Sequence, residues 1–252
     1  MSDRASFTLD NAGLGRLTLT RADARNAIDP AMVDGLAEAV NEAAAARGLR
    51  ALLMSAEGPS FSVGGDLRYM GARVDRLAEE FQSMIGRFHE ALTALAELPV
   101  PVVCAVRGAV AGGALGLLWC SDVTIVANDA KLVSGFLKLG LSGDGGSSWW
   151  LPRLVGLARA RELILGGRDL TGAEAAEIGL VARAVPADEV DHEAERVASD
   201  LAERPTDAYA EIRRLLVHSL DRGLAEGLQA ELEAMVRTAS TDEARARMGR
   251  WG

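Results

Sequence analysis

Apolar positions along the chain switch between two periods. Arg16-Leu17-Thr18-Leu19-Thr20 alternates with period two and reads as a strand, and Ala51-Leu52-Leu53-Met54-Ser55 reads as a second one. Between them Asp29-Pro30 has the form of a helix start, Asp as the cap and Pro at the first helical position, followed by Met32, Val33, Leu36, Ala37 and Val40 at helical spacing. From about Val74 to Leu98 the pattern predicts a long helix with Leu77, Phe81, Met84, Ile85, Phe88, Leu92 and Leu95 on one stripe, ended by Pro99. Val102 to Val106 is wholly apolar, the signature of a strand covered on both faces. A glycine-rich helix (Gly112 to Cys120) and another strand (Asp122 to Val126) follow.

A second glycine-rich stretch, Gly140 to Gly146, precedes a mainly helical region that runs to Gly166. Beyond Pro186 nearly everything is helical in pattern: about 188–203, 205–219 and 225–238, with a short last helix begun by Ser240-Thr241-Asp242-Glu243. The expected organisation is an α/β body over 1–190 and a helical region over 191–252.

Composition narrows the function. The chain has 252 residues and a net charge of −9, which argues against a nucleic-acid partner, since displacing counterions from phosphates needs a cationic face. Only Lys131 and Lys138 are lysines, so arginine must supply most contacts to any anionic ligand. Cys104 and Cys120 lie in apolar surroundings and read as buried thiols rather than as metal ligands or a disulfide. Met1 to Asp10 shows no secretory pattern, and Pro99, Pro101 and Arg107 break up the apolar stretch Val100 to Cys120 before it reaches spanning length. A cytoplasmic protein without a membrane partner is expected.

GxSxG, P-loop, GxGxxG and HExxH motifs are all absent, and there are only three histidines, His89, His192 and His218. Two glycine turns remain as candidate chemistry: Phe61-Ser62-Val63-Gly64-Gly65-Asp66-Leu67, and Arg107-Gly108-Ala109-Val110-Ala111-Gly112-Gly113-Ala114. Turns without side chains let a ligand approach backbone N–H groups, and two such donors on one oxygen would form an oxyanion hole. Taken singly, each turn also fits plain packing. Asp66 has the place of a cap for the following helix, and Asp144, shortly before Ser147-Ser148, fits either a cap or a working carboxylate.

Both turns sit in a longer pattern. Ala24-Arg25-Asn26-Ala27-Ile28 resembles (R/K)xNAL, Phe61 to Leu67 resembles FxAGADL, Leu98 to Val102 resembles LPKPV, and Arg107 to Asp122 resembles NGxAxGGGxxLxxxCD. Leu139 to Gly156 is similar to LGLxPDxGxxxxLPRLVG, and Gly166 to Val181 to TGRxLxAEEAxxxGLV. Together these resemble the crotonase (enoyl-CoA hydratase/isomerase) superfamily over almost the whole chain. The resemblance implies a ClpP-like spiral of ββα repeats, C-terminal helices that assemble trimers or dimers of trimers, and an acyl-CoA thioester as substrate, with no metal or redox cofactor.

By the same resemblance the Gly65 and Gly113 N–H groups hold the enolate oxygen. Arg25 approaches the CoA phosphates, and Ala27, Val63, Gly64, Asp66 and Leu67 face the CoA moiety. Gly112, Gly116, Phe136, Leu141 and Trp149 border the acyl site. Gly116 and Phe136 stand where hydratases of the family carry two glutamates; neither moves protons, so ordinary hydration is not expected. Asp144 matches the single aspartate of double-bond isomerases. Asp144 with His89 also resembles the pair in aryl-CoA hydrolytic dehalogenases, which however carry Trp at the Phe136 position. An inactive CoA-thioester binder is the further alternative.

Overall fold

The computed structural model describes residues 4–251. Met1 to Asp3, part of the N-terminal segment read above, and Gly252 lie outside it. Strands β1 (Ala5–Leu9) and β2 (Leu14–Leu19) form an antiparallel pair, and α1 (Pro30–Ala45) crosses over to β3 (Ala51–Ala56), parallel to β2. Asp29 caps α1, its Oδ1 accepting from the Met32 N–H at 2.9 Å. The segments α2 (Leu67–Gly71) and α3 (Leu77–Ala96) lead to β4 (Val102–Val106), then β5 (Ala109–Ala111) and α4 (Leu115–Trp119). Next come β6 (Val123–Ala127), β7 (Lys131–Val133), α5 (Ser147–Leu165), β8 (Leu170–Thr171), α6 (Gly172–Glu177) and β9 (Arg183–Val185). Helices α7 (Val190–Ala202), α8 (Thr206–Val217), α9 (Leu224–Ala239) and α10 (Asp242–Met248) complete the chain.

A six-stranded sheet runs β1-β2-β3-β4-β6-β9, parallel except at β1, and a three-stranded sheet runs β5-β7-β8. Each winding of the chain leaves one strand in the large sheet, a shorter extended piece in the small layer, and then a helix. Two isolated parallel bridges, Ile28 with Gly65 and Ser62 with Val110, continue the small layer through the earlier repeats. The spiral of ββα repeats thus lines up the points where minor strands turn into helices.

The core lies on the central strands, where Ala51 to Met54 and Val102 to Val106 are buried. Their continuous apolar runs follow from cover on both faces. Val100 to Cys120 is three separate elements, and among the described residues no helix is long and apolar enough to cross a membrane. Cys104 and Cys120 are buried free thiols, and burial pushes Cys120 up to about 12. The long helix expected from Val74 is divided: a 3-10 turn (Val74–Arg76) precedes α3. The strands β5, β7, β8 and β9, of two or three residues, are too short to show period two, whereas β1, Ala5-Ser6-Phe7-Thr8-Leu9, does alternate and is a strand the pattern could have supplied.

Helix α7, beyond the division at 190/191, packs on β3, β4 and β6, and Val190, Ala194, Val197, Ala198 and Ala202 join the core. The separation therefore falls after α7: in α8 to α10 only Arg213 and Ala234 are buried. Glu211 links α8 to α9, accepting from Arg237 at 2.7 and 2.9 Å and from Arg214 at 2.7 Å. Hydrogen bonds from Arg237, then Arg214, hold its carboxyl down at about 2, against an ordinary 4.5. A depressed folded-state value gives stability that is present above about pH 4.5 and lost as pH falls through 2. Glu211→Gln should therefore lower urea-unfolding stability by up to about 1 kcal/mol at pH 7, as exposed pairs do, with the difference closing towards pH 2.

Candidate active site

The segments that form the site are held by backbone geometry that glycine and two strained residues permit. Arg25 and Asn26 both have positive φ, 52° and 54°. Buried Asn26 secures this turn: its side-chain amide donates to Glu57 O at 2.9 Å and Ser60 O at 3.0 Å, and Ser62 Oγ donates to Asn26 O at 2.6 Å. The chain 25–28 is thereby stitched to the loop 57–65. Ile28 N–H donates to Gly64 O at 2.7 Å and Asp66 N–H to Ile28 O at 2.8 Å. In a parallel bridge of this kind the intervening residue, Gly65, turns its own N–H to the opposite side. Gly64 has φ 77°, and a methyl built on it would lie 2.5 Å from Ala111 O, so only glycine lets the two turns meet.

Asp66 follows. Its Oδ1 accepts from the N–H groups of Arg68 and Tyr69 at 3.1 Å, capping α2, and its Oδ2 lies 2.9 Å from the Arg21 guanidinium. Burial alone would raise this carboxyl, but the Tyr69 N–H and Arg21 outweigh it and keep the group below its ordinary value. Asp66 is thus a fixed anion that shapes the turn. The same arginine donates to Ala27 O at 2.8 Å and lies 3.3 Å from Asp29, so Arg21 ties three segments together, a role its sequence context did not signal.

Gly112 to Ala114 form a 3-10 turn entering α4, and the first N–H groups of such a turn have no intrahelical partner. The loop 143–146 stacks on it backbone to backbone: a methyl built on Gly145 would strike Gly113 O. This loop carries Asp144. A methyl built on Gly113 would lie 2.8 Å from Asp144 Oδ2 and 3.5 Å from the Phe88 ring. His89 Nε2, from α3, is 2.6 Å from the other carboxylate oxygen, Oδ1. One oxygen of Asp144 is therefore engaged by His89 and the other faces Gly113.

These groups border one cavity of about 480 Å³. Gly65, Gly113, His89 and Asp144 line it, as do Val63, Leu67, Gly112, Phe136 and Leu141. The other expected site residues stand apart from the wall. Arg25 is exposed, with its backbone O accepting from Val63 N–H at 3.2 Å; Ala27 and Gly64 lie behind the wall. Gly116 is not a wall position, because Leu92 and Gly145 O fill the space in front of it; a methyl there would be 2.5 Å from that oxygen. Trp149 is also displaced from the expected acyl site. It lies on α5 four residues before Arg153, whose guanidinium sits 3.9 Å over its ring, and it meets Trp150 edge-on. Nor does the Asp144 side chain cap α5: the cap position is Gly146, and Asp144 contributes only its backbone O to Ser147 N–H.

Three wall residues on α3, Phe81, Met84 and Ile85, belong to a stripe whose spacing reads equally as core. Among the described residues, the cavity's ionisable side chains are His89, Asp144 and Lys138, the last paired with Asp169 at 3.3 Å. Asp144 is the cavity's single carboxylate among the described residues.

A family model described as Enoyl-CoA hydratase/isomerase matches residues 10–251. The 1,2-epoxyphenylacetyl-CoA isomerase of Escherichia coli K12 is 36% identical over 195 residues, covering 77% of this chain and 74% of that protein. The trans-2-decenoyl-(acyl-carrier-protein) isomerase of Streptococcus mutans serotype c is 31% identical over 241 residues, covering 94% and 90%. Among solved structures, an enoyl-CoA hydratase from Polaromonas sp. JS666 superposes with a TM-score of 0.90 at 30% identity, over 98% of this chain and 97% of the other.

Proposed function

The chain belongs to the enoyl-CoA hydratase/isomerase family, a crotonase-fold group, and on that premise we propose that it shifts the double bond of an enoyl-CoA thioester by proton shuttling through Asp144. The observation that carries this reading is the single carboxylate of the cavity, with Oδ1 tied to His89 and Oδ2 facing Gly113. Hydration with two acids would need a second carboxylate, and the positions expected to supply it hold Gly116 and Phe136. Relatives named as isomerases support the reading.

In a 3-enoyl thioester, Asp144 Oδ2 takes a proton from the carbon beside the carbonyl. The bonding pair moves into the thioester, giving a dienolate whose oxygen accepts from the Gly65 and Gly113 N–H groups. Asp144 then returns the proton to the far carbon of the diene, leaving the 2-enoyl thioester. Water takes no part, and atoms and charge balance without another reactant. Fixed donors suit this step because they require no reorganisation as charge develops, and each is worth about 3 kcal/mol in comparable sites. Arg25 and the backbone from Val63 to Leu67 would meet the CoA moiety. The exposed Leu224, Leu228 and Leu232 of α9 would be covered on assembly into trimers.

The test is direct. Purified protein given 3-enoyl-CoA should form 2-enoyl-CoA, and 2-enoyl-CoA in deuterium oxide should exchange its γ protons much faster than it gains water. Brisk hydration with no isomerisation would sink the reading. The contact between His89 and Asp144 favours one second reading: Asp144 attacks the halogen-bearing ring carbon of a haloaryl-CoA and displaces halide, and water activated by His89 then hydrolyses the aryl ester and frees the carboxylate. Halide release from a haloaryl-CoA that requires both residues would support it.

A further inference from the structure

The cavity continues beyond the reacting end along one helix. Phe88 marks that end, since its ring is 3.5 Å from a methyl built on Gly113. The same wall runs towards the start of α3 through Ile85, Met84 and Phe81, neighbours at helical spacing. At 1.5 Å per residue, Phe81 to Phe88 spans about 10 Å. An extended chain advances roughly 1.2 Å per bond, from the 3.3–3.6 Å that three backbone bonds cover, so the wall matches about eight bonds. Ile28 and Val33 lie against the same space from the α1 side, and Leu67 and Met70 from α2. All these side chains are apolar; among the described residues the ionisable ones in the cavity are His89, Asp144 and Lys138. A hydroxyl or carboxyl placed along α3 would find no side-chain partner on these residues, whereas an alkyl chain would be matched throughout.

We propose that the acyl group is an unbranched apolar chain of about eight to ten carbons lying along α3, and that Met84 and Phe81 set its length. The placement rests on the reading that the thioester carbonyl lies at Gly65 and Gly113, but it does not rest on the reaction performed there. Met84, buried and about one turn from Phe88, limits the middle of the channel, and Phe81 its end.

Calorimetric titration of the intact protein with saturated butyryl-, hexanoyl-, octanoyl-, decanoyl- and phenylacetyl-CoA tests this. Each added methylene should tighten binding about fourfold up to octanoyl or decanoyl, after which the gain stops. Met84→Trp should end the gain near hexanoyl-CoA; Ile85→Trp, at a half-buried position, reads the same channel if the first variant does not fold. A ladder that is flat beyond butyryl-CoA, phenylacetyl-CoA binding tighter than decanoyl-CoA, or variants with unaltered ladders would overturn the assignment. Saturated thioesters carry no double bond to move. A flat ladder with active isomerisation therefore removes the length assignment alone, and a steep ladder without isomerisation removes the reaction alone.

Discussion

Replacing Asp144 by Asn should reduce isomerisation turnover roughly 10²–10⁴-fold, the usual loss when a positioned general base is removed. The substitution keeps the shape of the side chain and leaves an oxygen for His89, so the loop 143–146 should stay seated on Gly113. Affinity for a saturated acyl-CoA, which needs no proton transfer, should change little. A fall in turnover at constant affinity assigns Asp144 to the transition state rather than to uniform binding. Parallel kinetics and titration decide the matter, and an Asn variant as active as wild type would end the proton-shuttle mechanism. Asp144→Glu should not rescue it, because one more methylene moves the carboxylate away from its place between His89 and Gly113.

The largest effect on stability is expected far from the cavity. Arg213→Met should cost up to about 3–5 kcal/mol, the range for breaking a buried ion pair from one side, because the guanidinium is buried and its Asp122 partner is largely so. Arg213 is 6% exposed and gathers the core around its guanidinium: Nε lies 2.8 and 2.9 Å from the two Asp122 oxygens, Nη1 donates to Leu98 O at 2.9 Å and also to Ala96 O. It thereby satisfies carbonyls at the end of α3 and fastens α8 to the body. Asp122 in turn accepts from Val102 N–H at 2.8 Å at the start of the central strand β4. For a chain of this length such a loss lowers the melting temperature by roughly 6–20 °C.

The deficit should also depend on pH, with a known sign. Burial already holds the Asp122 carboxyl above its ordinary value, even with Arg213 beside it. A raised folded-state value means that this group's contribution is fully present below the unfolded value near 3.8 and is lost as pH rises through the folded one. Removing the guanidinium raises the carboxyl further, so the variant should lose most at neutral pH and recover part of the difference as the medium is acidified. Scanning calorimetry of both proteins at several pH values checks this; a deficit independent of pH would place the cost in packing rather than in the stranded charge.

Much of the framework was legible along the chain because its signals are local. The Asp29-Pro30 start of α1, the apolar runs of β3 and β4 and the Thr241 cap of α10 each depend on hydrogen bonds or side-chain alternation within a few residues. The two glycine turns were legible as places of close approach, since positive φ and absent side chains are written in the residue type. Resemblance to a family then supplied which turns belong together. The stripe on α3 shows where local reading stops: Phe81, Met84, Ile85 and Phe88 repeat at helical spacing whether they face a packed core or an open channel.

Local signals in the chain were enough for α1, for β2, β3, β4 and β6, for the main helices, for the two glycine turns and for the candidate acid. Tertiary structure alone decided that Asp144 meets His89, 55 residues away, rather than capping α5, that Gly116 is blocked by Gly145, and that Trp149 stacks with Arg153 away from the cavity. It also decided that α7 belongs to the body and that buried Arg213 pairs with Asp122 on a distant loop. The physical reason is range. Periodicity and capping act over one or two helical turns, whereas these contacts exist only once the parallel register of the large sheet has stacked successive windings and brought their loops to one level.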